Sequence, residues 1–127
     1  MELKSYQQQV INDLSLFLTH LQADKDVKKA FHNFWSQHPT TPLQPFPNAA
    51  IEPYKNNVPR VPHVCVKVPT AGGKTFIACH ALQTIFAAFA PEKPKAVVWL
   101  VPSITILEQT LNSLKDPFHP RAVHFIY

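Results

Sequence analysis

The stretch Pro69-Thr70-Ala71-Gly72-Gly73-Lys74-Thr75 decides how this chain is read, because it holds the only two glycines among 127 residues. Glycine loses more conformational freedom on folding than any other residue. A chain that avoids it elsewhere uses it where the backbone needs φ > 0 or must approach something closely. Upstream, Val64-Cys65-Val66-Lys67-Val68 is apolar and β-branched between Pro62 and Pro69, the composition of a short buried strand. Downstream, residues 76–90 are alanine-rich, with Ile77, Leu82, Ile85, Phe86 and Phe89 at helical spacing and Pro91 ending the run. Strand, glycine turn, lysine, hydroxyl and helix are the context that makes such a heptapeptide a phosphate-binding loop. Loop N–H groups and the helix dipole would wrap the β-phosphate of a nucleotide. Lys74 would reach the β- and γ-phosphates, and the Thr75 hydroxyl would coordinate Mg²⁺. The general pattern G-x-x-x-x-G-K-[ST] asks for glycine at position 68, where this chain has Val68. The competing reading is a Gly-Gly turn followed by a solvated lysine.

Working outward, Ala96-Val97-Val98-Trp99-Leu100-Val101 is a continuous apolar run, as expected of a parallel strand covered on both faces. It leads through Pro102 and Ser103 into a helical stripe of Ile104, Leu107, Leu111 and Leu114, with Ser103 placed as N-cap and Pro117 beyond the end. Residues 122–127, Ala-Val-His-Phe-Ile-Tyr, read as a third strand. The order strand-helix-strand-helix-strand with short connections predicts an α/β fold with a parallel sheet and right-handed crossovers. Three strands would leave open hydrogen-bonding edges that must be covered or paired. The expectation is therefore an incomplete sheet, either the N-terminal part of a longer protein or a chain that pairs its edges with another.

Near the start, Ser5-Tyr6-Gln7-Gln8 fits a capping box with Ser5 as N-cap and Gln8 reaching back. Val10, Ile11, Leu14, Phe17, Leu18 and Leu21 follow as one apolar helical face. Tyr6 and Gln7 would lie in the first turn, a rigid place from which to address a base; alternatively they are solvated residues of a capped amphipathic helix. A second helical stretch, Asp24 to Trp35, aligns Val27, Phe31, Phe34 and Trp35, with Lys25, Lys28 and Lys29 on a solvated face. From Pro39 to Pro62 seven prolines forbid regular helix or a central strand, which suggests an ordered, extended insertion.

These residues resemble a known family. Pro69 to Thr75 is similar to the first motif of superfamily 2 helicases and translocases, commonly P-T-G-x-G-K-T, with Ala71 in place of its first glycine. Pro102-Ser103 through Gln109 resembles their motif Ia, with Ile104 where an arginine is usual. Leu3-Lys4-Ser5-Tyr6-Gln7 resembles the L-x-x-Y-Q segment that carries the adenine-reading glutamine. The wording of residues 66–75 and 101–104 looks most like the restriction (Res) subunits of type III systems and their DEAD/DEAH-box relatives. The resemblance implies a RecA-like P-loop NTPase domain binding ATP and Mg²⁺. Thr70, Ala71, Gly72, Gly73, Lys74 and Thr75 would hold the nucleotide, with Lys74 and Thr75 in the catalytic apparatus and Thr75 on the metal. Gln7 would bond the adenine edge and Tyr6 pack on the base. Pro102 and Ser103 would meet a nucleic-acid phosphate, which makes physical sense at a helix N-terminus. DNA, the remainder of the RecA-like core with its second domain, and restriction-modification subunits are the implied partners.

The chain divides on this reading into N-terminal helices (1–38), the Pro-rich insertion (39–62) and the first part of the P-loop domain (63–127). At 46% hydrophobic residues it can build one core, and an excess of basic over acidic residues, 12 against 8, suits a polyanionic partner. Cys65 and Cys79 lack C-x-x-C spacing and read as reduced thiols, consistent with a cytoplasmic protein. There is no signal-peptide pattern and no apolar run long enough to span a bilayer. His119 and His124, the nearest histidine pair to suggest a metal, have no cysteine or carboxylate at ligand spacing, which argues against zinc. Hydrolysis needs a carboxylate for Mg²⁺, a water-orienting group and usually an arginine. This chain has no Asp-Glu pair, and its only arginines are Arg60 and Arg121. Nucleotide binding without turnover by these residues alone is the expectation. Two other functions stay open: a P-loop enzyme of another class, such as a small-molecule kinase, and a non-catalytic interaction module.

Overall fold

The computed structural model describes residues 2–38, 49–90 and 92–115. Among the described residues four helices carry the architecture: α1 (Ser5–Asp24), α2 (Val27–Gln37), α3 (Lys74–Ala88) and α4 (Ile104–Lys115). α1 begins one residue earlier than its sequence suggests. Lys4 is the N-cap, and Gln7, not Gln8, reaches back, its Oε1 accepting the Lys4 N–H at 2.9 Å. A lysine side chain cannot accept a hydrogen bond, so only this half of the capping box forms.

The apolar stripe of α1 finds its partner across a sharp corner. Lys25 takes a left-handed conformation (φ 54°) that returns its N–H to Leu21 O at 3.1 Å, and Asp26 then caps α2 by accepting the Lys29 N–H at 2.8 Å. The Asp24 carboxylate takes Asn33 Nδ2 at 2.9 Å and staples the two helices. The core sits in this corner, where Phe17, Ala30 and Phe34 are buried with Leu21, Phe31 and Trp35 packed around them. Ala30, fully buried, lets the helices approach closely, and the Phe17 and Phe34 rings meet edge to face at 6.0 Å.

α1 also packs on α3. Tyr6 and Gln7 at its start bond Gly72, just before α3, and Gln22 Nε2 near its end donates to the Ala88 carbonyl at the end of α3. The two helices therefore run side by side in the same direction. This brings the first residues of the chain to the mouth of the glycine loop.

The expected α/β fold is overturned. Among the described residues there is no strand and no sheet; neither Val64–Val68 nor Ala96–Val101 pairs with anything. Apolar side chains meant for a sheet interior stand in solvent instead, Val98 83% and Leu100 88% exposed. A helix satisfies its own backbone within a few residues, whereas a strand exists only when another strand supplies its hydrogen bonds. β-branched composition selects extended backbone but cannot supply that partner. The expected third strand, 122–127, lies outside the described residues, as do the first part of the Pro-rich insertion, the His119–His124 pair and the helix-ending Pro91 and Pro117. Of the insertion's described part, Tyr54 is the hub: its hydroxyl accepts the His63 N–H at 2.6 Å, and its ring packs on Phe31 at 5.3 Å.

Candidate nucleotide-binding loop

The heptapeptide forms a tight turn running into the first two residues of α3. Gly72 N–H donates to the Pro69 carbonyl at 3.0 Å, closing a four-residue turn whose third position, Ala71, has φ 61°. That sign is what a type II turn requires, and glycine supplies it most readily. The usual glycine of the resembled motif would sit at this position, so Ala71 adopts a conformation its Cβ disfavours.

Gly73 follows as N-cap of α3 with φ 73° and ψ 39°. Having no side chain, it gives the first turn of α3 no side-chain cap, and the positive end of the helix dipole is presented at the loop. Both glycines are also demanded by space. A Cβ on Gly73 would lie 2.6 Å from Gln7 Nε2, and one on Gly72 would lie 2.5 Å from Val68 Cγ1. Val68, where the general pattern has glycine, thus fills the volume that a side chain at 72 would take. The sequence marked Val68 only as a departure from the glycine pattern, and it did not single out the Pro69 carbonyl.

Lys74 is exposed, and its Nζ donates to the Pro69 carbonyl at 2.9 Å, so the ammonium lies back over the loop that precedes it. Thr75, half-buried, occupies the next position of α3, while Thr70 and Ala71 are exposed on the turn. Tyr6 and Gln7 converge on one atom of the loop from the other side. The Tyr6 hydroxyl donates to the Gly72 carbonyl at 2.8 Å, and Gln7 Nε2 donates to the same oxygen at 3.1 Å and to Tyr6 Oη at 3.3 Å. With its Oε1 on Lys4 N–H, the buried Gln7 amide is fully engaged, as a buried amide must be. The structure thus brings the Tyr-Gln segment and the glycine loop together across more than sixty residues of sequence.

Pro102 and Ser103 lie apart from this cluster, exposed ahead of α4. Ser103 Oγ accepts the Ile106 N–H at 3.4 Å, the N-cap role its position predicts. A separate cavity of about 590 Å³ opens between α1, α2 and residues 52–67, lined by Leu14, Phe31, Trp35 and Tyr54 among others; no residue of 69–75 reaches it.

A family model for the res subunit of type III restriction enzymes matches residues 1–125, a span that takes in the Tyr-Gln segment, the glycine loop and the segment around Ser103. The chain belongs to this family. The family is helicase-like and nucleotide-dependent, and its match covers residues at both ends of the Gln7–Gly72 contact. No curated protein and no solved structure gives a significant match to the chain. Among the described residues no helix is long and apolar enough to cross a membrane.

Proposed function

We propose that this chain is the ATP-binding portion of a DNA helicase or translocase of the type III Res kind, with Pro69–Thr75 as its phosphate loop. The observation that carries this reading is the loop's geometry: a left-handed Gly73 opens α3 without a side-chain cap, and Lys74 stands beside it. An anion there would meet backbone N–H groups and the helix dipole. The residues fit a nucleotide phosphate, since Gly73 leaves the start of α3 without a side-chain cap and the only cation of the heptapeptide is exposed at the loop. Gly73, Lys74 and Thr75 would hold the β- and γ-phosphates, with Thr75 presenting its hydroxyl to Mg²⁺. Bound Mg²⁺ would neutralise phosphate charge.

The Lys74–Pro69 bond is what a phosphate would replace, exchanging a neutral acceptor for a charged one, which makes the stronger hydrogen bond. Hydrolysis would draw its carboxylate and arginine from outside these residues. Ser103, with its hydroxyl at the start of α4, is the proposed DNA-phosphate contact. Titration calorimetry of the full chain with Mg-ATP tests the site: Lys74→Ala is expected to weaken ATP binding at least ten-fold. Unchanged affinity in that variant refutes the assignment. The reading of a small-molecule kinase has no observation in its favour, and the family match over residues 1–125 favours the Res type.

A further inference from the structure

Two donors on one carbonyl are more than that carbonyl needs to be satisfied, and they fix its direction. The Gly72 oxygen receives the Tyr6 hydroxyl at 2.8 Å and Gln7 Nε2 at 3.1 Å, both from the start of α1. No peptide among the described residues is cis, and in a planar trans peptide the C=O and N–H vectors point in opposite directions. Holding the Gly72 oxygen against α1 therefore aims the Gly73 N–H away from α1. A glycine pair has the least side-chain restraint on such a peptide, so without an external clamp this plane would be the freest in the loop. Gly72 N–H is already engaged on the Pro69 carbonyl at 3.0 Å. Of the two glycine amides, only that of Gly73 is left to meet a ligand.

We infer that Tyr6 is a positioning residue for the phosphate loop: its hydroxyl, with the Gln7 amide, pins the Gly72 carbonyl so that the Gly73 N–H is presented to the phosphate. This rests on the loop being the phosphate site. It assigns the Tyr6 hydroxyl to the phosphate end of a nucleotide, whereas packing against a base would use only its ring. Tyr6 is 43% exposed, so Tyr6→Phe removes the hydroxyl with little disturbance of packing.

Mg-tripolyphosphate, which has no base, separates the two roles. Calorimetry on the full chain is expected to show Tyr6→Phe weakening tripolyphosphate and ATP alike, roughly three- to ten-fold, the worth of one hydrogen bond. Adenosine binding is expected to be unchanged. If Tyr6→Phe binds tripolyphosphate as the parent does while Lys74→Ala weakens it, the inference fails and the site stands. Loss of adenosine affinity with tripolyphosphate affinity intact overturns it in favour of a base contact. If the parent chain does not bind tripolyphosphate, or Lys74→Ala binds it equally well, the site and the inference fall together.

A second measurement needs no variant. Labelling glycine with ¹⁵N gives amide signals from Gly72 and Gly73 alone, and carbonyl-¹³C glycine identifies Gly73 by its coupling to the preceding Gly72. Tripolyphosphate is expected to shift the Gly73 amide and leave Gly72 nearly in place. A shift confined to Gly72 overturns the inference.

Discussion

Replacing Gly73 by alanine perturbs two things that the structure keeps separable. At φ 73° a Cβ brings left-handed strain. That strain is worth about 1–2 kcal/mol, of which about 0.4–1 kcal/mol is returned because alanine restricts the unfolded chain. The same Cβ would stand 2.6 Å from Gln7 Nε2, closer than any real contact. The end of a glutamine can normally swing away, but this one is 5% exposed and held by bonds at both its oxygen and its nitrogen. Displacing it removes a hydrogen bond of about 1 kcal/mol and leaves a buried amide short of a partner, at about 1–3 kcal/mol for the group. Gly73→Ala is therefore expected to destabilise the chain by about 2–5 kcal/mol, summing the net strain and the lost amide contacts. In a Gln7→Ala background the collision is gone, and the same substitution is expected to cost only the net strain, about 1 kcal/mol or less. Urea denaturation of the full chain followed by circular dichroism gives all four stabilities of this double-mutant cycle. A coupling energy within about 0.5 kcal/mol of zero, the scatter of independent sites, refutes the contact between α1 and the loop. A Gly73→Ala substitution that stabilises the chain in the Gln7→Ala background refutes the left-handed backbone as well.

Ala71, left-handed at φ 61°, gives the opposite sign: Ala71→Gly is expected to raise stability by about 0.5–1 kcal/mol in the same urea assay, and a loss would show that the turn is not of this type. The cysteines differ in environment. Burial pushes the Cys79 thiol above its usual range, while Cys65 is exposed. The thiolate is the reactive form, so at any pH near neutrality Cys79 carries less of it and is also shielded. Alkylation read by mass spectrometry is expected to modify Cys65 at least ten-fold faster than Cys79, and equal rates would contradict the burial of Cys79 on α3.

Helices were legible because their signal is local. The apolar stripe from Val10 to Leu21, the helix from Lys74 and the Ser103 cap each follow from residues within a turn or two of one another. The corner between α1 and α2 was less so: one continuous reading from Asp24 to Trp35 missed that Lys25 turns left-handed and that Asp26 caps a second helix starting at Val27. The sheet was misread because β-branched composition reports a preference for extended backbone and nothing about the partner it needs. In the candidate site, the turn at Gly72-Gly73-Lys74-Thr75 was legible, but the target of the Tyr6 and Gln7 polar groups was not. Their partner is a backbone carbonyl, which looks the same in every sequence.

By itself the sequence determined where glycine was required, where the apolar helical stripes run, and that Ser103 would cap α4. These are consequences of backbone sterics and of contacts between near neighbours. Only the tertiary structure decided that α1 runs alongside α3 and that its first turn clamps the Gly72 carbonyl. It also showed Val68 filling the space beside Gly72, and the apolar runs at 64–68 and 96–101 standing without strand partners. Each of these depends on which distant segment supplies the opposite surface or the opposite hydrogen bond, and that is set by packing three-dimensional shapes together, not by the order of residues along the chain.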